Sequence, residues 1–176
     1  MRELSGQLKT GKEDPTGRGG GRGKGIPNPE RLFEGAGPLV ERLRAESPFI
    51  SGAAMVARAR QILAELGEAE QIAVINAHPR IGENADRVRA QSAASYTEQG
   101  YDRDDTPPDA LLRLARLNEA YEQKFGFRFV VFVNRRPKAA LVAVLEARLL
   151  RPRAEELRTA LADIVAIAED RLRQEP

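Results

Sequence analysis

The chain has 176 residues, a length that fits one domain with a sizeable core. It is 41% hydrophobic and 31% charged, as globular proteins are, and no apolar run approaches the about 20 residues that a membrane span requires. The absence of cysteine excludes disulfides, thiol nucleophiles and thiolate-bound zinc. Because the first residues lack the apolar stretch of a secretory signal, the expected compartment is the cytoplasm.

The net charge of +2 comes entirely from the first 30 residues, which hold six Lys and Arg against four acids. The remaining 146 residues carry 22 of the 28 basic and 22 of the 26 acidic side chains. That balance gives no basic surface of the kind that nucleic-acid partners require. We therefore expect the folded part not to bind nucleic acid.

Residues 1–27 are predicted to form a disordered tail rich in Gly and Arg, ahead of a helical domain over residues 28–176. Eight of the 15 glycines lie in this tail, which has almost nothing apolar to bury. Weak binding to RNA or phosphates is an alternative role for it. A phosphate loop is disfavoured, because Gly25 follows Lys24 where that motif needs Ser or Thr.

The domain begins with three predicted helices. Asn28, followed by proline, is typical of a helix start, because its side chain can cap free amides. A short helix then runs through Phe33, and a second one ends near Ala45. Ser51 is predicted to cap a longer third helix that stops at Gly67.

Two further helical stretches flank a turn. The first runs from Ile72 toward His78, where the proline that follows disfavours helical backbone, so the chain must turn there. The second is predicted as one helix from Asn84 to Gln99.

The clearest helix follows Thr106 and ends at Gly126, with apolar residues at helical spacing. The apolar run over residues 127–133 then predicts a buried extended segment, which alone cannot make a sheet. Two final helices pass through Leu149 and Leu172. The predicted fold is an irregular all-α, single-domain helical bundle with one short extended apolar segment.

His78 is the only histidine, so it has no second imidazole with which to share a metal, and metal catalysis is disfavoured. Its place at a forced turn, and the titration of imidazole near neutral pH, make it a candidate acid or base. An ordinary surface or helix-terminal histidine would fit that position equally well.

Ser95, Glu98 and Gln99 form a second candidate group. Spacings of three and four residues place a hydroxyl, a carboxylate and a carboxamide along one edge of a helix. The same Ser-x-x-Glu pattern is also typical of a capping box or of a solvated face. Alone, it is weak evidence for a site.

Three segments follow one another in a distinctive order and spacing: Asn76-Ala77-His78-Pro79-Arg80-Ile81-Gly82, Ser95-x-x-Glu98-Gln99, and Asn118-x-x-Tyr121-x-x-Lys124-Phe125-Gly126-Phe127-x-Phe129-Val130-Val131. Together they resemble the 2-oxo-4-hydroxy-4-carboxy-5-ureidoimidazoline (OHCU) decarboxylases. The resemblance covers about residues 30–173.

This resemblance implies a cofactor-independent, all-α enzyme of urate breakdown that forms (S)-allantoin from a small-molecule substrate and is commonly a homodimer. It also implies that His78 is the catalytic residue, acting as a general acid or base, with Glu98 assisting. The residues expected to bind the substrate are Pro79, Ser95, Glu98, Gln99, Phe129, Val130, Val131, Phe132, Val133 and, for the substrate's carboxylate, Arg148.

Two local features depart from the family pattern. Gly100 follows Gln99 directly where many relatives carry more residues, which predicts a reshaped edge of the pocket. Asn134 and Arg135 follow the extended segment where relatives often have Gly-Arg. Two alternatives to the enzyme remain: an inactive helical interaction module of the same fold, and nucleic-acid binding through the tail.

Overall fold

The computed structural model describes residues 26–34, 37–103 and 106–174. Within these ranges the chain forms nine helices and no strand, which confirms the predicted all-α class. Most of the predicted tail, residues 1–25, lies outside the described residues. The helices are α1 (Pro29–Phe33), α2 (Gly37–Ala45), α3 (Gly52–Glu65), α4 (Glu68–Asn76), α5 (Ala85–Gln91), α6 (Ala93–Glu98), α7 (Pro108–Phe125), α8 (Lys138–Leu149) and α9 (Arg153–Gln174).

The helix ends agree with the sequence at some caps and differ at others. Ser51 caps α3 as predicted, its hydroxyl accepting the Ala54 amide at 3.0 Å. α1 starts after Asn28 as predicted, but the Asn28 side chain makes no capping hydrogen bond, so the predicted cap is wrong. Gly67 does not close α3 in the left-handed conformation; it has φ −64° and starts α4, where the Glu70 carboxylate accepts its amide at 2.9 Å.

The predicted helix from Asn84 to Gln99 is two helices. Ser92 adopts an extended conformation, ends α5 and caps α6, its hydroxyl accepting the Ser95 amide at 3.0 Å. A serine hydroxyl competes in this way with the helical hydrogen bond, which interrupts the helix. Ser95 therefore lies at the third position of α6, and the capping-box interpretation of Ser95 and Glu98 is wrong.

A cluster of aromatic rings ties α7 to the extended segment. Gly126 ends α7 with φ 80°, a left-handed turn that glycine adopts without steric cost. The Tyr121 ring then lies edge-on to Phe125, Phe127 and Phe129, with centroids 4.5, 5.9 and 5.3 Å away. Residues 127–133 cross the molecule unpaired, as predicted.

A single apolar core joins the helices. α9 packs against α1, α3 and α4, and α7 packs against α8. Side chains of α5 and α6 are absent from this core cluster among the described residues, and these two helices pack on each other instead. α6 is thus free to present its polar residues to a cavity. No helix in the described ranges is both long and apolar enough to cross a bilayer.

Candidate active site

A cavity of about 930 Å³ lies between the end of α1, α6, the extended segment and α9. Ten of the eleven site residues predicted from the sequence line it. Those that line it are His78, Pro79, Ser95, Glu98, Gln99, Phe129, Val130, Val131, Phe132 and Val133. Arg148 is not among the lining residues.

His78 directly follows the turn that ends α4, and its residue is only 4% exposed. Nδ1 lies 3.3 Å from the Val74 carbonyl oxygen, which can only accept a hydrogen bond. Nδ1 therefore carries the proton, and Nε2 on the opposite side of the ring holds a lone pair. Among the described residues no group hydrogen bonds to Nε2.

The protonation of His78 differs from the expectation of titration near neutral pH. Burial lowers the pKa of His78 to about 4, although the nearby Glu34 carboxylate acts in the opposite direction. The imidazole is therefore uncharged at neutral pH. An uncharged imidazole with an unpaired Nε2 can accept a proton from a molecule in the cavity.

Arg171 of α9 is the centre of a polar cluster on the cavity wall. Its Nε donates to Glu98 Oε1 at 2.6 Å and its Nη2 to Glu98 Oε2 at 2.9 Å. Nη2 also donates to Glu34, and Nη1 donates to the Leu32 carbonyl at 3.1 Å. Burial opposes the charge of Arg171, but the hydrogen bonds and charges of the two carboxylates raise its pKa.

Glu34, immediately after α1, completes this cluster. Its side chain is 4% exposed, and its Oε1 accepts the Ser95 hydroxyl at 2.7 Å as well as the guanidinium of Arg171. Burial acts to raise the pKa of Glu34, but Arg171, His78 and the Ser95 hydroxyl hold it below its usual value. Glu34 is therefore ionised at neutral pH.

Gln99 connects α6 to the loop that follows His78. Its Oε1 accepts the Gly82 amide at 3.2 Å, and its Nε2 donates to the Arg80 carbonyl at 3.3 Å. Asn118 also holds this loop, donating to the Ile81 carbonyl at 2.9 Å. These contacts fix the loop that carries the histidine.

The main chain of the extended segment divides its polar groups between two sides. The Val130 carbonyl accepts from Arg148 at 2.9 Å, and the Phe132 carbonyl from Arg136 at 2.6 Å. Successive residues of an extended chain face opposite sides. Val131 lies between them, and its amide and carbonyl have no hydrogen-bond partner among the described residues.

Arg148 lies behind the extended segment. Its Nε donates to Glu156 at 2.7 Å, and its Nη1 donates to Asp163 and to the Val130 carbonyl, both at 2.9 Å. With its side chain 4% exposed and these partners taken up, it does not reach the cavity. The cavity lining therefore does not support the prediction that Arg148 binds the substrate's carboxylate, and its contacts hold the extended segment instead.

The sequence did not single out Glu34 or Arg171 as site residues. For Arg171 a signal was present: it follows Ile164 and Ala168 at helical spacing, so a charge lies on the apolar face of α9. A charge on a buried helix face needs a partner, so this pattern indicates a buried ion pair. No comparable pattern marks Glu34.

Fold and site together define an all-α protein with a cavity lined by both polar and apolar side chains, one of them an uncharged histidine. The model of the OHCU decarboxylase family matches residues 30–173. This chain belongs to the OHCU decarboxylase family, which confirms the resemblance and the carboxy-lyase class expected from the sequence.

Individual relatives agree with this assignment. The OHCU decarboxylase of Haloferax volcanii is 29% identical over 141 residues, 80% of this chain and 82% of that protein. A uric acid degradation bifunctional protein of Bacillus sp. strain TB-90 is 27% identical over 143 residues, 81% of this chain and 28% of that protein. A crystal structure of an OHCU decarboxylase in the presence of (S)-allantoin shares the fold, with a TM-score of 0.68 and 23% identity, covering 84% of this chain and 96% of that one.

Proposed function

We propose that this protein converts OHCU to (S)-allantoin and CO₂ in the degradation of urate, with His78 as the residue that moves protons. The observation that carries the proposal is the buried, uncharged imidazole, which lines a cavity with Ser95, Glu98 and Gln99 and whose Nε2 has no hydrogen-bond partner among the described residues. Membership of the OHCU decarboxylase family supplies the class of reaction.

The substrate carries its own electron sink for the decarboxylation. CO₂ leaves from the ring carbon that bears the hydroxyl, and the electron pair of the broken bond moves into the adjacent C=N group. The nitrogen that receives the pair takes a proton from solvent, which leaves an enol. No pyridoxal or metal is required for this step, so the protein has to orient the substrate and move protons.

His78 completes the reaction in this proposal. Its Nε2 lone pair accepts the hydroxyl proton, so that the enol becomes the ring carbonyl of the product. The imidazolium then returns the proton to the neighbouring carbon from one face, which sets the (S) configuration. General acid–base catalysis of this kind contributes about 10²- to 10⁴-fold to a rate.

The cavity walls orient the substrate. The amide and carbonyl of Val131, which have no partner among the described residues, offer one donor and one acceptor that complement the amide edges of the ring and the ureido group. Glu98, held through both oxygens by Arg171, offers its carboxylate to the hydroxyl or ureido protons. The apolar side chains over residues 129–133 exclude water, which strengthens these contacts.

The proposal also includes the homodimer and the cytoplasmic location expected from the family resemblance. Sedimentation equilibrium of the purified protein would measure its mass in solution. A mass of one chain at micromolar concentration would contradict the dimer without affecting the reaction.

The reaction can be tested directly. Urate oxidase and hydroxyisourate hydrolase generate the unstable substrate from urate, and circular dichroism follows optically active allantoin. We expect rapid formation of (S)-allantoin with the wild-type protein and a loss of at least about 100-fold in His78→Ala and His78→Asn.

The asparagine variant is the sharper of the two, because its amide can still donate to Val74 but cannot act as a base. Slow racemic product with the wild-type protein, equal to that without protein, would refute the decarboxylase and favour the inactive module. Full activity in His78→Asn would leave the reaction intact and refute the role of His78.

A further inference from the structure

Glu34 occupies a backbone conformation that side chains rarely adopt. It follows the last residue of α1 with φ 61° and ψ 25°, in the left-handed region where glycine is favoured. Glycine is the residue usually found in this conformation after a helix, and here the glycine comes one residue later in the sequence. Outliers of this kind persist where the surrounding structure holds them, often at functional sites.

The contacts of Glu34 leave the cavity wall with an excess negative charge. Arg171 is already paired with Glu98 through two hydrogen bonds. Glu34 is a second carboxylate on the same guanidinium, with Ser95 as its other partner. One carboxylate would neutralise Arg171, so the second adds a charge that the cluster does not need for its own balance.

His78 lies beside this charge. The charged groups that act on it are Glu34 from the end of α1, Arg171 from α9 and Arg128 from the extended segment, whose Nη1 donates to the His78 carbonyl at 2.8 Å. Glu98 lines the same cavity from α6 and is neutralised by Arg171. Both arginines oppose a positive charge on the imidazole, whereas Glu34 favours it.

Proton transfer to a buried imidazole creates a cation in a poorly solvated place, and such a cation needs a counter-charge. We propose that Glu34 is a positioning residue that holds Arg171 and Ser95 in the cavity wall and stabilises the imidazolium form of His78 while it carries the substrate's proton. This inference rests on the proposed function for the identity of the reaction. It adds a residue that does not itself touch the substrate.

A substrate-free measurement tests the electrostatic part. Because His78 is the only histidine, its ring protons give one unambiguous set of NMR signals to titrate. We expect Glu34→Gln to shift the titration of His78 to lower pH than in the wild-type protein. Glu41→Gln removes an equal charge from an exposed position on α2 and should leave the titration unchanged.

Kinetics test the catalytic part. Glu34→Gln should lower kcat by about tenfold, since one unit of imidazolium pKa corresponds to a tenfold change, and should change KM by less than about twofold. Glu34→Asp keeps the charge and should restore most of kcat. A purely structural role would instead lower the amount of active protein without moving the acid limb of the kcat/KM profile.

The outcomes separate the two proposals. An inactive wild-type protein refutes the proposed function, while the NMR titration still tests Glu34. An active wild-type protein whose Glu34→Gln variant has an unchanged His78 titration and an unchanged kcat refutes the inference. If circular dichroism shows that Glu34→Gln does not fold, the Glu34→Asp variant provides the test. A His78 titration and a kcat close to those of the wild-type protein support a role for the charge of Glu34. A tenfold loss of kcat with an unchanged His78 titration refutes that role.

Discussion

Burial opposes charge on the side chains around the cavity, and their hydrogen-bond partners decide which of them stay charged. The His78 ring has a carbonyl as its only hydrogen-bond partner among the described residues, and it loses its charge. Arg171 is equally enclosed but keeps its charge, because Glu34 and Glu98 lie against it. The difference follows from the cost of a buried charge, which a hydrogen-bonded partner of opposite sign offsets. The result is a neutral base beside a fixed ion cluster.

The neutral state of His78 predicts a pH dependence of stability. The unfolded imidazole takes up a proton below its ordinary pKa of 6.5, whereas the folded one does so only near 4. The contribution of His78 is therefore complete above pH 6.5 and is lost as the pH falls toward 4. Between pH 7.5 and 5 it amounts to about 2 kcal/mol.

Urea unfolding at the two pH values measures this change, with His78→Gln as the control. The variant cannot take up the proton, so its free energy of unfolding should fall by about 2 kcal/mol less than that of the wild-type protein. An equal fall in both proteins would show that the folded imidazole titrates near its ordinary pKa.

The ion cluster predicts a coupled pair of substitutions. Arg171→Met leaves Glu34 and Glu98 in the cavity wall without their cation, which should cost about 3 to 5 kcal/mol of stability. Adding Glu34→Gln removes one of the unpaired charges, so the double variant should be more stable than Arg171→Met alone. Thermal unfolding of the four proteins gives the coupling energy, and strictly additive effects would contradict the cluster.

At the scale of elements, the extended segment has a polar backing that the cavity requires. Arg148 binds the Val130 carbonyl, and Glu156 holds Arg148 while accepting the Tyr121 hydroxyl at 2.6 Å. Asp163 completes the group, and burial raises its pKa even though Arg148 lies beside it. This backing takes the place of a neighbouring strand, so an unpaired segment can stay extended and leave the Val131 groups free.

We expect Arg148→Met to damage both stability and substrate binding. The buried carboxylate of Glu156 loses its buried cationic partner, which should cost about 3 to 5 kcal/mol. The released Val130 carbonyl should raise KM more than it lowers kcat. Arg113→Met is the matched control, because Arg113 pairs with Glu146 at the surface and should cost less than about 1 kcal/mol. A KM equal to that of the control would show that Arg148 does not position the segment.

The sequence predicted the individual helices better than their breaks and the contacts between distant residues. Apolar spacing and helix-stop residues give α7 to within its flanking residues, because those signals act over one or two turns. The sequence did not predict the break at Ser92, because serine is tolerated inside a helix and only its capping geometry shows the interruption. Glu34 and Arg171 are 137 positions apart, and no local pattern indicates which distant groups packing brings together.

At the scale of the whole molecule, the uneven charge along the chain separates the enzyme from the nucleic-acid alternative. Residues 1–27 carry six basic and three acidic side chains, whereas residues 31–176 carry equal numbers of each. The described residues that line the cavity all lie between positions 30 and 174. Catalysis and any binding of polyanions are therefore assigned to different parts of the sequence.

Deleting residues 1–27 should leave kcat, KM and the melting temperature unchanged, because the family match begins at residue 30 and every described residue that lines the cavity is at position 30 or later. Any binding of the full chain to RNA should fall steeply with salt and disappear in the deletion, since it depends on counterion release by the tail's Lys and Arg. Fluorescence anisotropy with a labelled oligonucleotide at two salt concentrations, beside the decarboxylation assay, measures both properties on the same two proteins. Activity lost with the tail would place a catalytic contribution in residues 1–27, and RNA binding retained without the tail would place a polyanion site on a domain whose charges balance.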